Sequence, residues 1–166
     1  GAGGFIGGGS CNLINTTTTG VANTIVGGQC NCICATISAF NYIGGGSRNF
    51  INTLTSECAN VIVGGVSNTS SGAFSGILGG KNNNINNHTC SFIIGADITS
   101  TANCTTFVNN LNISGSITHG NAADGFIILT HVSESLNFAD DTAAAAGGVP
   151  LGGLYRSGNV ISIRIE

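Results

Sequence analysis

Ile25-Val26-Gly27-Gly28-Gln29-Cys30-Asn31-Cys32-Ile33 is one copy of a phrase that recurs through the first two thirds of the chain. The phrase reads Ile, any residue, Gly-Gly or Gly-Ala, two variable residues, Asn, one more residue, Ile. Copies start at Ile6, Ile25, Ile43, Ile62, Ile77 and Ile93, and this column is read as the core stack. The polar slot holds Asn12, Asn31, Asn49, Asn68 and Asn83, with Thr99 in the last copy. The closing slot holds Ile14, Ile33, Ile51, Ser70, Ile85 and Thr101. A fixed period of this kind decides the architecture before any single residue does.

Successive copies start 19, 18, 19, 15 and 16 residues apart. The first four also form a double repeat of 37, which carries Ile14 onto Ile51 and Asn23 onto Asn60. A period of 15–19 residues is one coil of a β-solenoid, short strands joined by tight corners. The paired glycines Gly27, Gly28, Gly45, Gly46, Gly64, Gly65, Gly79 and Gly80 supply those corners, which need positive φ or close backbone approach. Asn lies two residues before Ile, on the same strand face, so it is expected to stack as an amide ladder that satisfies each buried amide.

The rest of the composition agrees. Of 166 residues, 42% are apolar and 7% charged. The apolar share argues against disorder, and abundant Gly and Asn argue against a helical protein. The expected class is all-β: a solenoid of about six coils and a small β-rich C-terminal module with one short helix. A net charge of −3 and four scattered basic residues, Arg48, Lys81, Arg156 and Arg164, leave no footprint for nucleic acid. No apolar run is long enough for a membrane span. Beginning at Gly1 in repeat-like sequence, the chain reads as a processed product or a segment of a longer protein.

Three regions are expected: the solenoid over 1–106, a joint over 107–120 and a C-terminal module over 121–166. Phe107–Ile117 alternates apolar and polar and reads as a strand leaving the solenoid, and Phe126–Val132 as a buried strand. Asp140-Asp141-Thr142-Ala143-Ala144-Ala145-Ala146-Gly147-Gly148 reads as a capped helix, acidic at its start and ended by Gly. Leu154–Arg156 and Val160–Ile165 form a hairpin around Ser157-Gly158-Asn159.

Catalytic, metal and cofactor sites are not expected. From Gly1 to Ala96 the only charged residues are Arg48, Glu57 and Lys81, and no carboxylate pair has a spacing suited to glycoside chemistry. Loss of polysaccharide turnover on changing Asp124, Asp140 or Asp141 would mark a β-helix enzyme instead. His88, His119 and His131 stand singly, and Asp140 and Asp141 are read as helix caps rather than cation ligands. The Thr residues wander between slots, which argues against a flat ice-binding array. Asn15, Asn68, Asn87, Asn103 and Asn112 head glycosylation acceptor sequences.

The seven cysteines, an odd number, preclude a complete intrachain disulfide set. Cys30, Cys32 and Cys34 alternate, as thiols on one strand face do. Small buried hydrophobes within solenoid layers are the expected role, ahead of disulfides between coils or subunits and of metal binding.

Ile43-Gly44-Gly45-Gly46-Ser47-Arg48-Asn49-Phe50-Ile51 resembles the repeats of phage and other viral tail-fibre-like proteins and, more distantly, the head repeats of trimeric autotransporter adhesins. Phe107–Leu111 is similar to the segment that follows such repeats. Asp141–Arg156 looks like a C-terminal module of phage structural proteins. The resemblance implies a homotrimeric fibre, extracellular or on a virion surface, that displays a tip or binds a receptor or glycan. The thinness of a core built from so few apolar residues argues independently for bundling, and a parallel homotrimer is expected. The other reading is a filament polymerised head to tail through open solenoid ends.

Overall fold

The computed structural model describes residues 3–17, 22–35, 40–53, 59–114 and 136–165. Glu57, Cys58, His119, Asp124, His131 and the expected strand at Phe126–Val132 lie outside the described residues. The chain divides into two compact units, Gly1–Asn112 and Ile113–Glu166.

The first unit is a parallel β-solenoid of about five turns. Each coil opens with a short strand built on a template Ile: β1 (Phe5–Ile6), β3 (Thr24–Ile25), β5 (Tyr42–Ile43), β7 (Val61–Ile62), β9 (Gly76–Ile77) and β11 (Phe92–Ile94). These stack in order and are closed by β12 (Thr106–Val108), giving a seven-stranded parallel sheet. The register is the repeat itself: Ile6, Ile25, Ile43, Ile62, Ile77 and Ile93 face one another, and Phe107 takes the next place. The strand expected to leave the solenoid at Phe107 therefore belongs to it, because Phe107 occupies the column that Ile fills in the coils before.

The closing Ile of each phrase forms a second sheet of five strands, β2 (Leu13–Thr16), β4 (Cys32–Ala35), β6 (Phe50–Thr53), β8 (Thr69–Ser70) and β10 (Asn84–Ile85). Between the sheets runs a line of parallel bridges through Ser10, Gln29, Ser47, Val66 and Lys81.

The core lies between the two Ile columns. Ile25, Ile43, Ile62, Ile77 and Ile93 from one sheet and Ile33, Ile51 and Ile85 from the other are completely buried in one cluster. Ile14, Ile98 and Phe107 pack at its margin. Ile6, expected in the core stack, is 43% exposed because β1 is the edge strand and has a neighbour on one side alone. The last phrase also departs from its alignment. One residue is lost at the Gly95 corner, so Ile98 rather than Thr99 donates its N–H to Asn83 Oδ1. Buried Ser100, rather than Thr101, then follows Ser70 and Ile85.

In the second unit, α1 (Asp141–Ala146) ends at Gly147 and is capped by Asp140, whose carboxylate accepts the Ala143 N–H at 2.8 Å. β13 (Leu154–Ser157) and β14 (Val160–Ile163) pair antiparallel across Gly158-Asn159, as the turn residues predict. Ala144, Val149 and Tyr155 form a small core with Leu136 and Phe138, and the Phe138 and Tyr155 rings meet edge to face at 6.5 Å.

Candidate functional site

The solenoid has three built features: two buried polar ladders, a corner column, and an outward sheet face.

The first ladder is the predicted one, but its bonds differ from an amide stack. Asn12, Asn31, Asn49 and Asn68 each accept, through Oδ1, the backbone N–H of the next Asn at 3.0–3.1 Å. Each Nδ2 donates to two glycine carbonyls, one in its own coil and one in the next; for Asn31 these are Gly27 at 2.9 Å and Gly46 at 3.1 Å. An amide-to-amide bond also runs from Asn68 Nδ2 to Asn49 Oδ1. Side chain to main chain is the stronger arrangement for a corner, because it satisfies backbone groups that the tight turn removes from the strand ladder. Asn31, Asn49 and Asn68 are fully buried, which closes the acceptor sequence at Asn68 to a glycan.

A second ladder escapes the phrase. Asn23, Asn41 and Asn60 are buried at the other end of the first strand. Asn23 Oδ1 accepts Asn41 N–H at 2.9 Å, and Asn41 Oδ1 accepts Asn60 N–H at 3.1 Å. In the shorter coils serine takes over: Asn60 Oδ1 accepts Ser75 N–H, and Ser75 Oγ accepts Ser91 N–H. Nδ2 of Asn23 and of Asn60 has no partner among the described residues. The repeat of 37 carried the signal at Asn23 and Asn60; the change from amide to hydroxyl hid the rest.

The glycine pairs divide their labour. Gly28, Gly46, Gly65 and Gly80 hold φ of 93°, 83°, 94° and 79°. A Cβ on Gly28 would drive into the Gly46 carbonyl oxygen of the next coil, whereas one on Gly27 meets nothing closer than 4.0 Å. Gly45 and Gly79, at φ 155° and 143°, also lie in the left-handed half, but a Cβ there meets nothing. Gly27 and Gly64 do not have positive φ.

Two residues after the second corner position, non-glycine residues adopt the left-handed region: Cys11, Cys30, Arg48, Ser67, Asn82 and Asp97, with φ of 53–57°. Only Asn82 and Asp97 are types that favour this region, so composition alone did not reveal the column. Cys30 therefore sits in a corner, and Cys32 and Cys34 share the β4 face without it. The six described cysteines are not core residues, contrary to expectation: Cys11, Cys30, Cys90 and Cys104 are exposed, and Cys32 and Cys34 are half-buried.

The outward face of the seven-stranded sheet carries two in-register columns beside the buried Ile. One holds Phe5, Thr24, Tyr42, Val61, Gly76, Phe92 and Thr106; the other includes Val26, Val63, Leu78 and Ile94. The large apolar side chains of these columns are exposed, from 39% at Tyr42 and Val61 to 57% at Phe5, whereas Gly76 is buried and Thr24 half-buried. Aromatic rings lie beside glycines: a Cβ at Gly7 would come 3.3 Å from Phe5, and one at Gly44 3.3 Å from Tyr42. Seven strands about 4.8 Å apart make this apolar strip roughly 29 Å tall.

Charged and titratable groups are sparse. Lys81 and Asp97 are 4.0 Å apart and exposed, a pair of little energetic weight. His88 Nδ1 and Ser100 Oγ are hydrogen-bonded at 2.7 Å. Asp141 is used structurally, accepting the Tyr155 hydroxyl at 2.6 Å and the Ile165 N–H at 2.9 Å. Among the described residues no three metal-ligating side chains gather, and no helix is long and apolar enough to cross a membrane. Comparison with protein-family models, curated proteins and solved structures finds no match.

Proposed function

We propose that this chain is a structural, non-enzymatic fibre subunit, of the viral or phage tail-fibre kind or of another surface appendage. It assembles as a parallel homotrimer, extracellular or on a virion surface, and binds a cell-surface receptor or glycan through exposed loops. The observation that carries this reading is the outward face of the seven-stranded sheet. Monomeric proteins rarely leave so many large apolar side chains aligned on one face in water, and a face repeated coil by coil suits an equally periodic partner. A second copy in the same register meets that need, and three copies around one axis close the assembly. The sequence resemblance to trimeric fibre repeats supports the same arrangement.

Sedimentation velocity tests it. The expected species has three times the 16.5 kDa chain mass. Val63→Glu with Leu78→Glu, neighbours on that face, should convert it to monomer while the β-sheet circular dichroism persists. A wild-type chain that sediments as a compact monomer overturns the trimer.

One observation favours a second reading, a filament polymerised head to tail. Ile6 on edge strand β1 is 43% exposed while the five Ile that follow it in the column are fully buried, so the edge presents core surface to another coil. Electron microscopy separates the two: rods of uniform length support the fibre subunit, and filaments of indefinite length support polymerisation.

A further inference from the structure

The left-handed corner column is occupied in pairs. From Cys30 onward each member lies one coil beyond its predecessor, tied by the same main-chain bond. Cys30 N–H donates to Ser10 O at 2.8 Å, Arg48 to Gln29 at 2.9 Å, Ser67 to Ser47 at 2.9 Å and Asp97 to Lys81 at 2.9 Å. Side chains then meet two by two across coils. Arg48 Nε donates to Ser67 Oγ at 3.4 Å, and Asn82 Nδ2 donates to Asp97 Oδ1 at 2.9 Å. The remaining pair is Cys11 and Cys30, both exposed. Partial desolvation first, and the Cys11 thiol next, push the Cys30 thiol up.

The opposite corner repeats the pattern. Phe74, Cys90 and Cys104 hold φ of 54°, 54° and 53°. Cys90 N–H donates to Ala73 O and Cys104 N–H to Thr89 O, each at 2.9 Å. Cys104 is thus the one-coil successor of Cys90, and both are exposed.

We propose that Cys11–Cys30 and Cys90–Cys104 are sites of cross-coil disulfide formation that staple adjacent coils of the solenoid. The first ties the coil of edge strand β1 to that of β3, and the second ties β11 to edge strand β12. A coil tied covalently to its neighbour cannot peel away from the stack alone. Adjacent coils place equivalent Cα atoms about 4.8 Å apart, inside the roughly 4.4–6.8 Å that a disulfide spans.

The step needs an oxidant, and a small-molecule disulfide such as oxidised glutathione supplies it. One protein thiolate attacks the oxidant to form a mixed disulfide and release one small thiol. The partner thiolate displaces the second small thiol and closes the S–S bond. Two protons and two electrons leave the protein, and the oxidant departs as two thiols.

Cys32 and Cys34 behave differently. They are alternate residues of one strand, with Sγ atoms 2.7 Å apart in a thiol–thiol contact. Alternate Cα atoms of a strand stand about 6.6 Å apart, at the far limit for bridging. Burial first, and the bond to Cys34 next, push the Cys32 thiol up to about 12. A protonated thiol is a poor nucleophile, so Cys32 is not expected to start the exchange.

The test is a disulfide map of the full chain, equilibrated with oxidised and reduced glutathione, alkylated unfolded and cut with chymotrypsin. Cleavage after Leu13 and after Phe92 separates the partners of each pair. The expected result is two linked peptide pairs, Cys11 with Cys30 and Cys90 with Cys104, each lighter by two hydrogens. Cys11→Ser should free Cys30 and leave Cys90–Cys104 intact, and Cys90→Ser should do the reverse. Where a variant fails to fold, the wild-type map decides. Four thiols that remain alkylatable in folded, oxidised protein overturn the proposal, as do maps dominated by Cys30–Cys32, Cys32–Cys34 or scrambled linkages.

Discussion

Asn31 and Asn49 stand one coil apart, and Oδ1 of the first accepts the backbone N–H of the second at 3.0 Å. The bond joins a side chain of one coil to the main chain of the next, so each Asn sets the spacing and register of its neighbour. Both residues are fully buried, where water cannot replace a lost partner.

Asn49→Ala removes more than one bond. Asn49 Nδ2 donates to Gly45 O and Gly65 O, each at 2.9 Å, and its Oδ1 accepts the Asn68 N–H at 3.1 Å. Asn49 Oδ1 also accepts Asn68 Nδ2 at 3.1 Å; an unsatisfied buried group costs about 1–3 kcal/mol, and four groups lose a partner here. Destabilisation of roughly 3 kcal/mol or more is expected, read by urea unfolding. Hydrogen exchange should quicken first at Asn68, whose N–H is orphaned. A loss below about 1 kcal/mol would mean that water enters the ladder.

Adjacent glycines should respond oppositely to the same methyl group. Gly28 holds φ 93° and faces the Gly46 carbonyl, whereas Gly27 has neither constraint. Gly28→Ala should cost about 3 kcal/mol or abolish folding, since backbone strain and a main-chain collision combine. Gly27→Ala should change stability by less than about 1 kcal/mol. Equal effects in thermal melts of the two variants would show that the corner relaxes.

Some of this was legible from residues alone, and the limits have physical causes. The Ile and Gly slots are readable because a core column and a collision-bound corner each accept few side chains. The corner column is opaque because Cys11, Arg48 and Asn82 share a backbone conformation and little chemistry. The Asn23 ladder fades where Ser75 and Ser91 keep the acceptor role without the amide. At Ile98 a single lost residue shifts every later slot while the bond to Asn83 persists. Cys90 and Cys104, far from any dense cysteine motif, become neighbours through the coil period.

Ser70 occupies a slot that Ile51 and Ile85 fill on either side. It is fully buried, and its Oγ has no hydrogen-bond partner among the described residues. A buried hydroxyl without a partner is a liability, and apolar volume at that place extends the core. Ser70→Val should stabilise the solenoid by about 1–2 kcal/mol, seen as a higher urea midpoint. Destabilisation would show that the short coil at Ser70 is already full.

Tyr155 and Asp141 link the hairpin to α1 in the C-terminal unit. The hydrogen bond to Asp141 is the main cause that holds the Tyr155 hydroxyl above its ordinary range, with desolvation and the Asp141 charge adding to it. A group raised in the folded state stabilises fully below its unfolded pKa of about 10, and that contribution disappears as pH rises through the folded value. The unit should therefore keep its stability at neutral pH and lose it in the alkaline range above about pH 10. Tyr155→Phe should lower stability at neutral pH and flatten that alkaline loss, because the ionising group and its bond are both gone. Calorimetric melts of both proteins from pH 7 to 11 provide the measurement. A variant that retains the alkaline slope would place its origin in another group, and the Asp141 contact would then be a consequence of the fold rather than one of its supports.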